Sequence, residues 1–176
     1  MLIILGGLPG TGKTTIAREL ARQLDAVHLR IDSIEQAIRN SGVVVAALDD
    51  AGYRVAYAVA EDNLRFARTI IADSVNPVQA TREAWLAVAN RAQTGAIEIE
   101  IVCSDRNEHR RRVENRATDI PGLRPPTWRE VVEREYDPWE REHIVIDTAR
   151  GTLADHVQTL RTAIRLTLPA DGAPNP

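Results

Sequence analysis

The chain alternates short apolar runs with amphipathic segments of helical period. Apolar or alternating runs predict five strands, at residues 2–5, 26–32, 69–75, 96–104 and 143–147. Apolar residues spaced three or four apart predict helices between them, at residues 13–24, 33–40, 53–68, 78–93, 105–117 and 152–168. Strands that alternate with helices in this way indicate an α/β fold with a parallel sheet covered on both faces.

Local signals set the boundaries of several elements. Ser33 and Gln36 form a capping-box pattern that predicts the start of the second helix, and Thr127 and Glu130 predict a further short helix in the same way. Residues 41–50 are ambiguous, whereas residues 118–126, with three prolines and a glycine, predict a loop. We expect one domain over residues 1–168 and a flexible tail at 169–176.

The segment after the first strand carries the strongest chemical signal. It matches the phosphate-binding motif G-x-x-x-x-G-K-[ST] in full, between a strand and a helix, at Gly7, Leu8, Pro9, Gly10, Thr11, Gly12, Lys13 and Thr14. Glycines allow backbone N–H groups to curl around an anion, and the helix N-terminus adds partial positive charge. Lys13 is then placed to reach the β- and γ-phosphates and Thr14 to complete a magnesium shell, so we expect these residues and Thr15 to bind ATP with Mg²⁺.

Two aspartates lie at or near the ends of predicted strands. Asp32 ends the second strand and Asp73 lies late in the third, and ligands of such sheets bind beyond the carboxyl ends of the strands. We assign Asp32 as general base and substrate anchor, and Asp73 to magnesium through water. Alternatives remain: Asp32 as a helix cap, Asp73 as a turn residue, or an exchange of the two roles.

The fifth predicted helix is rich in arginine. With the proline-containing loop after it and the short helix beyond, it predicts a lid over ATP at about residues 105–136. Arg112 and Arg116, one turn apart, are our candidates for stabilising charge on the transferred phosphoryl group. A solvated helix face is the competing interpretation. Arg39 and Arg82 are candidates for binding an anionic acceptor.

Composition narrows the function classes. The formal net charge of −3 provides no global basic field for nucleic acid, and we expect no nucleic-acid partner. Lys and Arg total 22, and Lys13 is the only lysine, so 21 are arginine. The apolar segments are too short to span a membrane, and residues 1–5 lack the basic start of a signal peptide, so we expect a cytoplasmic protein. The sequence leaves open whether it is a monomer or a homodimer.

Other candidate motifs are weaker. The four histidines show no metal-ligand spacing, at positions His28, His109, His143 and His156. Residues 119–122 match D-x-x-G, a GTPase switch pattern. The match falls in the predicted lid loop, and no N-K-x-D motif can exist in a chain whose one lysine is Lys13.

The phosphate loop, Leu29-Arg30-Ile31-Asp32-Ser33, the run at residues 71–77 and the arginine-rich segment together resemble the small P-loop kinases. Within these, the chain is most similar to AAA-type enzymes that are zeta-toxin-like, chloramphenicol-phosphotransferase-like, gluconate-kinase-like or polynucleotide-kinase-like. The resemblance implies a three-layer fold with strand order 2-3-1-4-5 and transfer of the γ-phosphate to a hydroxyl. It also implies Asp32 as base, Arg112 and Arg116 as the lid R-x-x-x-R pair, and Arg150 near adenine.

The resemblance does not identify the acceptor. The second strand ends in Arg-Ile-Asp-Ser instead of a paired acidic motif, which indicates a different acceptor pocket. Our leading hypothesis is an ATP-dependent kinase of a small hydroxylated molecule. The alternatives are a 5'-hydroxyl nucleic-acid kinase and a non-catalytic ATP-binding regulatory module.

Overall fold

Five parallel strands form one sheet in the part of the chain that the computed structural model describes, residues 1–42 and 50–167. They are β1 (Leu2–Gly6), β2 (Val27–Arg30), β3 (Ile70–Asp73), β4 (Ala96–Val102) and β5 (Ile144–Asp147). Their order is β2-β3-β1-β4-β5 and every pairing is parallel. The predicted fold class and strand order are confirmed. The expectations for residues 43–49 and for the tail at 169–176 lie outside the described residues.

Helices cover both faces of the sheet. They are α1 (Lys13–Leu24), α2 (Ile31–Asn40), α3 (Ala51–Arg65), α4 (Gln79–Arg91), α5 (Arg106–Glu114), α6 (Trp128–Val132) and α7 (Leu153–Thr167). Consecutive β1 residues point to opposite faces, so Ile3 and Leu5 pack with α1 and α7, whereas Leu2 and Ile4 pack with α3 and α4. All four are fully buried, which makes β1 the centre of a three-layer core.

Helix α2 begins earlier than predicted. It starts at Ile31 with Arg30 as N-cap and no side-chain cap, so the capping box predicted at Ser33 and Gln36 is wrong. Asp32 therefore lies in the first turn of α2, where a carboxylate complements the helix dipole, and not at the end of a strand. The capping box at Thr127 and Glu130 is confirmed at α6.

Helix α5 is shorter than predicted. Asp105 caps its start by accepting from the backbone N–H groups of Asn107 and Glu108, and the helix ends at Glu114 with Asn115 as C-cap. Arg116 therefore follows the helix and belongs to the segment that connects α5 to α6. None of the described helices is long and apolar enough to cross a membrane.

Candidate active site

A pocket of about 1020 Å³ opens at the carboxyl end of the sheet. Its floor is the loop between β1 and α1, which we call the phosphate loop (residues 7–14). Its walls come from the start of α2, the end of β3, and the segment of residues 105–136 that carries α5 and α6. This is the edge at which parallel α/β sheets bind ligands, and the fold brings most of the predicted site residues to it.

Glycine is required at two positions of the phosphate loop. Gly7 has a φ of 130° and Gly10 a φ of 86°, values that residues with a Cβ rarely adopt. A Cβ on Gly10 would lie 2.5 Å from Cγ2 of Val113 in α5, and one on Gly7 would collide with the carbonyl oxygen of Ile101. The loop is thus pressed against β4 and α5, and its N–H groups precede the N-terminus of α1.

Lys13 lies at the base of the pocket and is 7% exposed. Its Nζ donates to the carbonyl oxygen of Leu8 at 2.8 Å. Burial lowers the pKa of Lys13 to about 8, although the negative charges of Asp73 and Asp32 act in the opposite direction. An anion placed beside Nζ would favour the ammonium form, which is the electrostatic arrangement expected of a phosphate-binding lysine.

Two contacts hold the phosphate loop from outside. His109 of α5 is buried, and its Nε2 lies 2.8 Å from the carbonyl oxygen of Pro9. A carbonyl only accepts, so the imidazole donates. The Thr148 hydroxyl, after β5, donates to the carbonyl oxygen of Thr11 at 2.7 Å. Arg112 in turn donates to the Thr148 hydroxyl and carbonyl oxygens at 2.8 and 3.0 Å, so α5, β5 and the loop form one connected unit.

Asp73 is buried at the end of β3, with 3% exposure. Its Oδ2 lies 3.0 Å from Nε2 of His28 on β2. Burial opposes ionisation, but His28, Lys13 and the Thr14 hydroxyl outweigh it and hold the pKa of Asp73 below its usual value. An ionised carboxylate beside a threonine hydroxyl is the hard-oxygen donor set that Mg²⁺ prefers, so the residues present fit the ion.

Asp32 stands in a more open environment. Its side chain is 41% exposed, and Oδ2 lies 3.8 Å from an Arg30 guanidinium nitrogen and 3.6 Å from one of Arg116. Both separations exceed hydrogen-bond length. The carboxylate therefore faces the pocket between two cations and keeps oxygen atoms available to a ligand.

The remaining predicted residues differ in placement. Arg39 lines the pocket and pairs with Glu35 at 3.6 Å. Arg150 is 84% exposed, lies 3.5 Å from Asp147 and does not line the pocket. Thr15 lines the pocket at the start of α1.

The position of Arg82 does not fit the predicted role of binding an anionic acceptor. It is 2% exposed and does not line the pocket. Its guanidinium donates to four backbone carbonyl oxygens, those of Asn76, Pro77, Asp137 and Pro138. It therefore fastens the start of α4 to the segment before β5. Because its side chain does not line the pocket, it is not placed to bind the molecule that receives the phosphate.

Comparison with known proteins agrees with this geometry. Residues 2–135, about three quarters of the chain, match the AAA_33 family, described as an AAA domain. The chain belongs to the AAA_33 family. The "Uncharacterized protein Rv2004c" of Mycobacterium tuberculosis and "Uncharacterized protein Mb2027c" of Mycobacterium bovis are each 36% identical over 75 residues. That match covers 40% of this chain and 15% of each relative, so the chain corresponds to a small part of those proteins.

Solved structures of kinases share the fold of this AAA_33 protein. A candidate kinase from Chloroflexus aurantiacus superposes with a TM-score of 0.75 at 22% identity, covering 95% of this chain and 97% of its own. The Mycobacterium tuberculosis APS kinase CysC, in complex with AMPPNP and APS, gives 0.69 at 16%, covering 93% and 96%. A gluconokinase from Sinorhizobium meliloti gives 0.61 at 18%, covering 93% and 94%. The fold is that of the P-loop kinases.

Several pocket residues of this AAA_33 domain were missed by sequence reasoning. Those that line the pocket are Arg18, Arg30, Asp119 and Arg134, and behind them His28 contacts Asp73 and His109 contacts Pro9. Asp119 and Arg30 are 89 residues apart and meet only in the fold. The one feature of the sequence that could have indicated an unusual acceptor side was Arg30-Ile31-Asp32-Ser33, which stands where a paired acidic motif was expected.

Proposed function

We propose that this protein is a kinase that transfers the γ-phosphate of ATP, with Mg²⁺, to a hydroxyl group of a small molecule. The observation that carries the proposal is that a complete phosphate loop and an accessible carboxylate, Asp32, line the same pocket. Structural neighbours named APS kinase and gluconokinase phosphorylate small molecules, which supports the class of acceptor.

The donor side of the pocket binds ATP. Backbone N–H groups of the phosphate loop and the N-terminus of α1 hold the phosphates, and Lys13 places a positive charge beside them. Thr14 and Asp73 would hold Mg²⁺, which neutralises phosphate charge when it is bound. In the described ranges, no group of three or more His, Cys, Asp or Glu forms a metal cage, so these two residues would supply part of a shell that phosphates and water complete.

The acceptor side activates a hydroxyl. The acceptor oxygen forms a bond to the γ-phosphorus, and the bond from that phosphorus to the β,γ-bridging oxygen breaks, with its electron pair leaving on ADP. Asp32 accepts the hydroxyl proton. Its open position in the first turn of α2 suits this role, whereas Asp73 is enclosed by His28 and Lys13.

The segment of residues 105–136 completes the site. Arg116 lines the pocket beside Asp32, where its guanidinium stabilises charge on the transferred phosphoryl group. Arg112 is fixed by Glu108 and Thr148, so its part in the proposal is to hold the nucleotide side of the pocket. Covering the pocket with this segment excludes water that would hydrolyse ATP.

The lining of the pocket favours a small polar acceptor over a nucleic acid. Among the lining residues that the structure describes, Tyr53 is the one aromatic, and single-stranded nucleic acids are usually held by stacked aromatic side chains. The net charge of −3 also provides no general attraction for phosphodiester chains.

An acceptor screen tests the proposal. ADP release is measured with ATP and Mg²⁺ across sugars, nucleosides, aminoglycosides, chloramphenicol and 5'-hydroxyl oligonucleotides, with Lys13→Met as the inactive control. We expect at least one small alcohol to stimulate ADP release in the wild-type protein and none in Lys13→Met. A response to oligonucleotides alone, or tight ATP binding with no response to any acceptor, contradicts the proposal.

A further inference from the structure

A carboxylate of the protein itself is bound by two arginines inside the pocket. Asp119 lies in the segment that connects α5 to α6, and its oxygens accept from Arg30 Nη1 at 2.9 and 3.1 Å. A second ion pair joins Asp119 to Arg18. The hydrogen bonds from Arg18 and Arg30 hold the pKa of Asp119 well below its usual range, so the group is an anion at neutral pH.

The two arginines come from the sheet and from its first helix. Arg18 lies on α1, four residues after Thr14 and therefore on the same helix face. Arg30 ends β2, and its side chain is 6% exposed. Within the described part of the chain, Nε of Arg30 is buried without a hydrogen-bond partner. The cationic site is thus built on the sheet and its first helix, independently of the segment that carries Asp119.

The Arg18–Arg30 pair that binds Asp119 lies beside the proposed base, Asp32. Another Arg30 nitrogen lies 3.8 Å from Oδ2 of Asp32, and Arg18, Arg30, Asp32 and Asp119 all line the pocket. A ligand whose anionic group replaced the carboxylate of Asp119 would therefore place its neighbouring atoms beside Asp32.

The burial of Arg30 favours an anion bound to the Arg18–Arg30 pair. A buried guanidinium is costly to leave without a hydrogen-bonded anionic partner, and the carboxylate of Asp32 stands at 3.8 Å, beyond hydrogen-bond length, so departure of Asp119 favours its replacement by another oxyanion. The side chain of Asp119 is 49% exposed and belongs to a connecting segment, so exchanging it requires movement of that segment and not of the core.

We propose that Arg18 and Arg30 form the acceptor's anion-binding subsite, that Asp119 occupies this subsite in the free protein, and that the acceptor is an alcohol bearing a carboxylate or phosphate group. This specificity rests on the proposed kinase function. The anionic group of the acceptor replaces Asp119 on the two arginines, and its hydroxyl lies against Asp32.

A binding experiment tests the subsite without catalysis. Inorganic phosphate is titrated by calorimetry into protein saturated with AMPPNP and Mg²⁺, so that the phosphate loop is filled. We expect Asp119→Asn to bind phosphate about tenfold more tightly than the wild type and Arg18→Gln about tenfold more weakly, the factor for one charge-assisted hydrogen bond. Asp62→Asn and Arg65→Gln, exposed partners in α3, are the matched controls and should equal the wild type.

A kinetic experiment tests the acceptor class. Glycerol is compared with glycerate and with glycerol 3-phosphate, which present the carboxylate and the phosphate separately. We expect kcat/KM for at least one charged alcohol to exceed that for glycerol by about tenfold or more, and we expect Arg18→Gln to bring that ratio close to one. Arg18 is half exposed, so this variant is expected to fold.

The outcomes separate the two proposals. Phosphate binding that is absent from Asp119→Asn, or that is unchanged by Arg18→Gln, overturns the subsite, and so does equal use of neutral and charged alcohols; in each case the kinase function stands. Failure of AMPPNP to bind overturns the kinase function. The subsite is then tested by the difference in phosphate affinity between Lys13→Met and the double variant that also carries Arg18→Gln; equal affinities overturn it.

Discussion

Asp32 and Asp73 carry the same functional group in two different surroundings. Asp73 is enclosed at the end of β3 by His28, Lys13 and Thr14, which keep it ionised. Asp32 is 41% exposed in the first turn of α2, and no cation approaches it within hydrogen-bond distance in the described chain. At the scale of the residue, these surroundings give the two carboxylates different roles. An enclosed anion suits binding of a metal ion, and an open carboxylate suits acceptance of a proton from an incoming hydroxyl.

Replacement of Asp32 by Asn tests that division. The amide keeps the size of the side chain and removes its ability to accept a proton. We expect ATP affinity to stay within about twofold and kcat to fall by about 10²-fold or more, the usual contribution of a general base. Asp62→Asn, at a position 76% exposed on α3, is the control and should leave both values unchanged. Retention of kcat in Asp32→Asn would contradict the assignment.

Gly10 offers a second test at the residue scale. An alanine there must adopt a φ of 86° and place its Cβ 2.5 Å from Val113, so we expect Gly10→Ala to lower the free energy of unfolding by about 1–3 kcal/mol. ATP binding should weaken as the loop is displaced. A Cβ at Gly95 meets nothing within 4 Å, and Gly95→Ala should change neither quantity. Chemical denaturation and ATP titration measure both, and equal behaviour of the two variants would refute the strained loop.

At the scale of elements, contacts between distant segments explain what the sequence did not predict. The alternation of Val27, Leu29 and Ile31 predicts a strand through Asp32, but the chain turns into α2 at Ile31. That residue is buried in the helical layer with α3 and α4. Local periodicity does not distinguish a strand residue from the first apolar residue of a helix. Local sequence could not indicate the structural role of Arg82 either, because two of its carbonyl partners lie 55 and 56 residues away in the chain.

Replacement of Arg82 tests its structural role. Arg82→Met removes hydrogen bonds to four carbonyl groups, among them the carbonyl of the buried Asn76, so we expect the free energy of unfolding to fall by at least about 2 kcal/mol. KM for an acceptor should change no more than KM for ATP. Arg91→Met, at a half-exposed position on the same helix, should cost less than about 1 kcal/mol. A selective rise in acceptor KM, with stability retained, would restore the expected binding role.

At the scale of the whole molecule, the sequence predicted the features that depend on residues close together in the chain. Strand and helix alternation indicated the parallel sheet, and contiguous residues indicated the phosphate loop. The acceptor side is different, since its residues come from three separate segments: Arg18 from α1, Arg30 and Asp32 from the junction of β2 and α2, and Asp119 from the connection between α5 and α6. Ion pairs across such distances depend on tertiary packing and leave no periodic or contiguous pattern in the chain.

The pocket as a whole determines how ATP binding depends on pH. Burial lowers the pKa of Lys13 to about 8, and bound phosphates raise it again, because they favour the ammonium form. A group whose pKa rises on binding contributes its full affinity below the free-protein value and loses that contribution as pH increases above it. We therefore expect ATP affinity by calorimetry to be constant between pH 6.5 and 7.5 and to fall above pH 8. A constant affinity through pH 9.5 would contradict this account.

The most direct test of the central claim, that the phosphate loop binds a nucleotide through Lys13, uses the single lysine of the chain. Protein labelled with ¹⁵N-lysine has one side-chain amine, and its ¹⁵Nζ chemical shift can be titrated by NMR with and without ATP and Mg²⁺. The account predicts a midpoint near pH 8 in the free protein and a clear upward shift with nucleotide. A midpoint at the ordinary lysine value of about 10.4 that does not respond to ATP would contradict it.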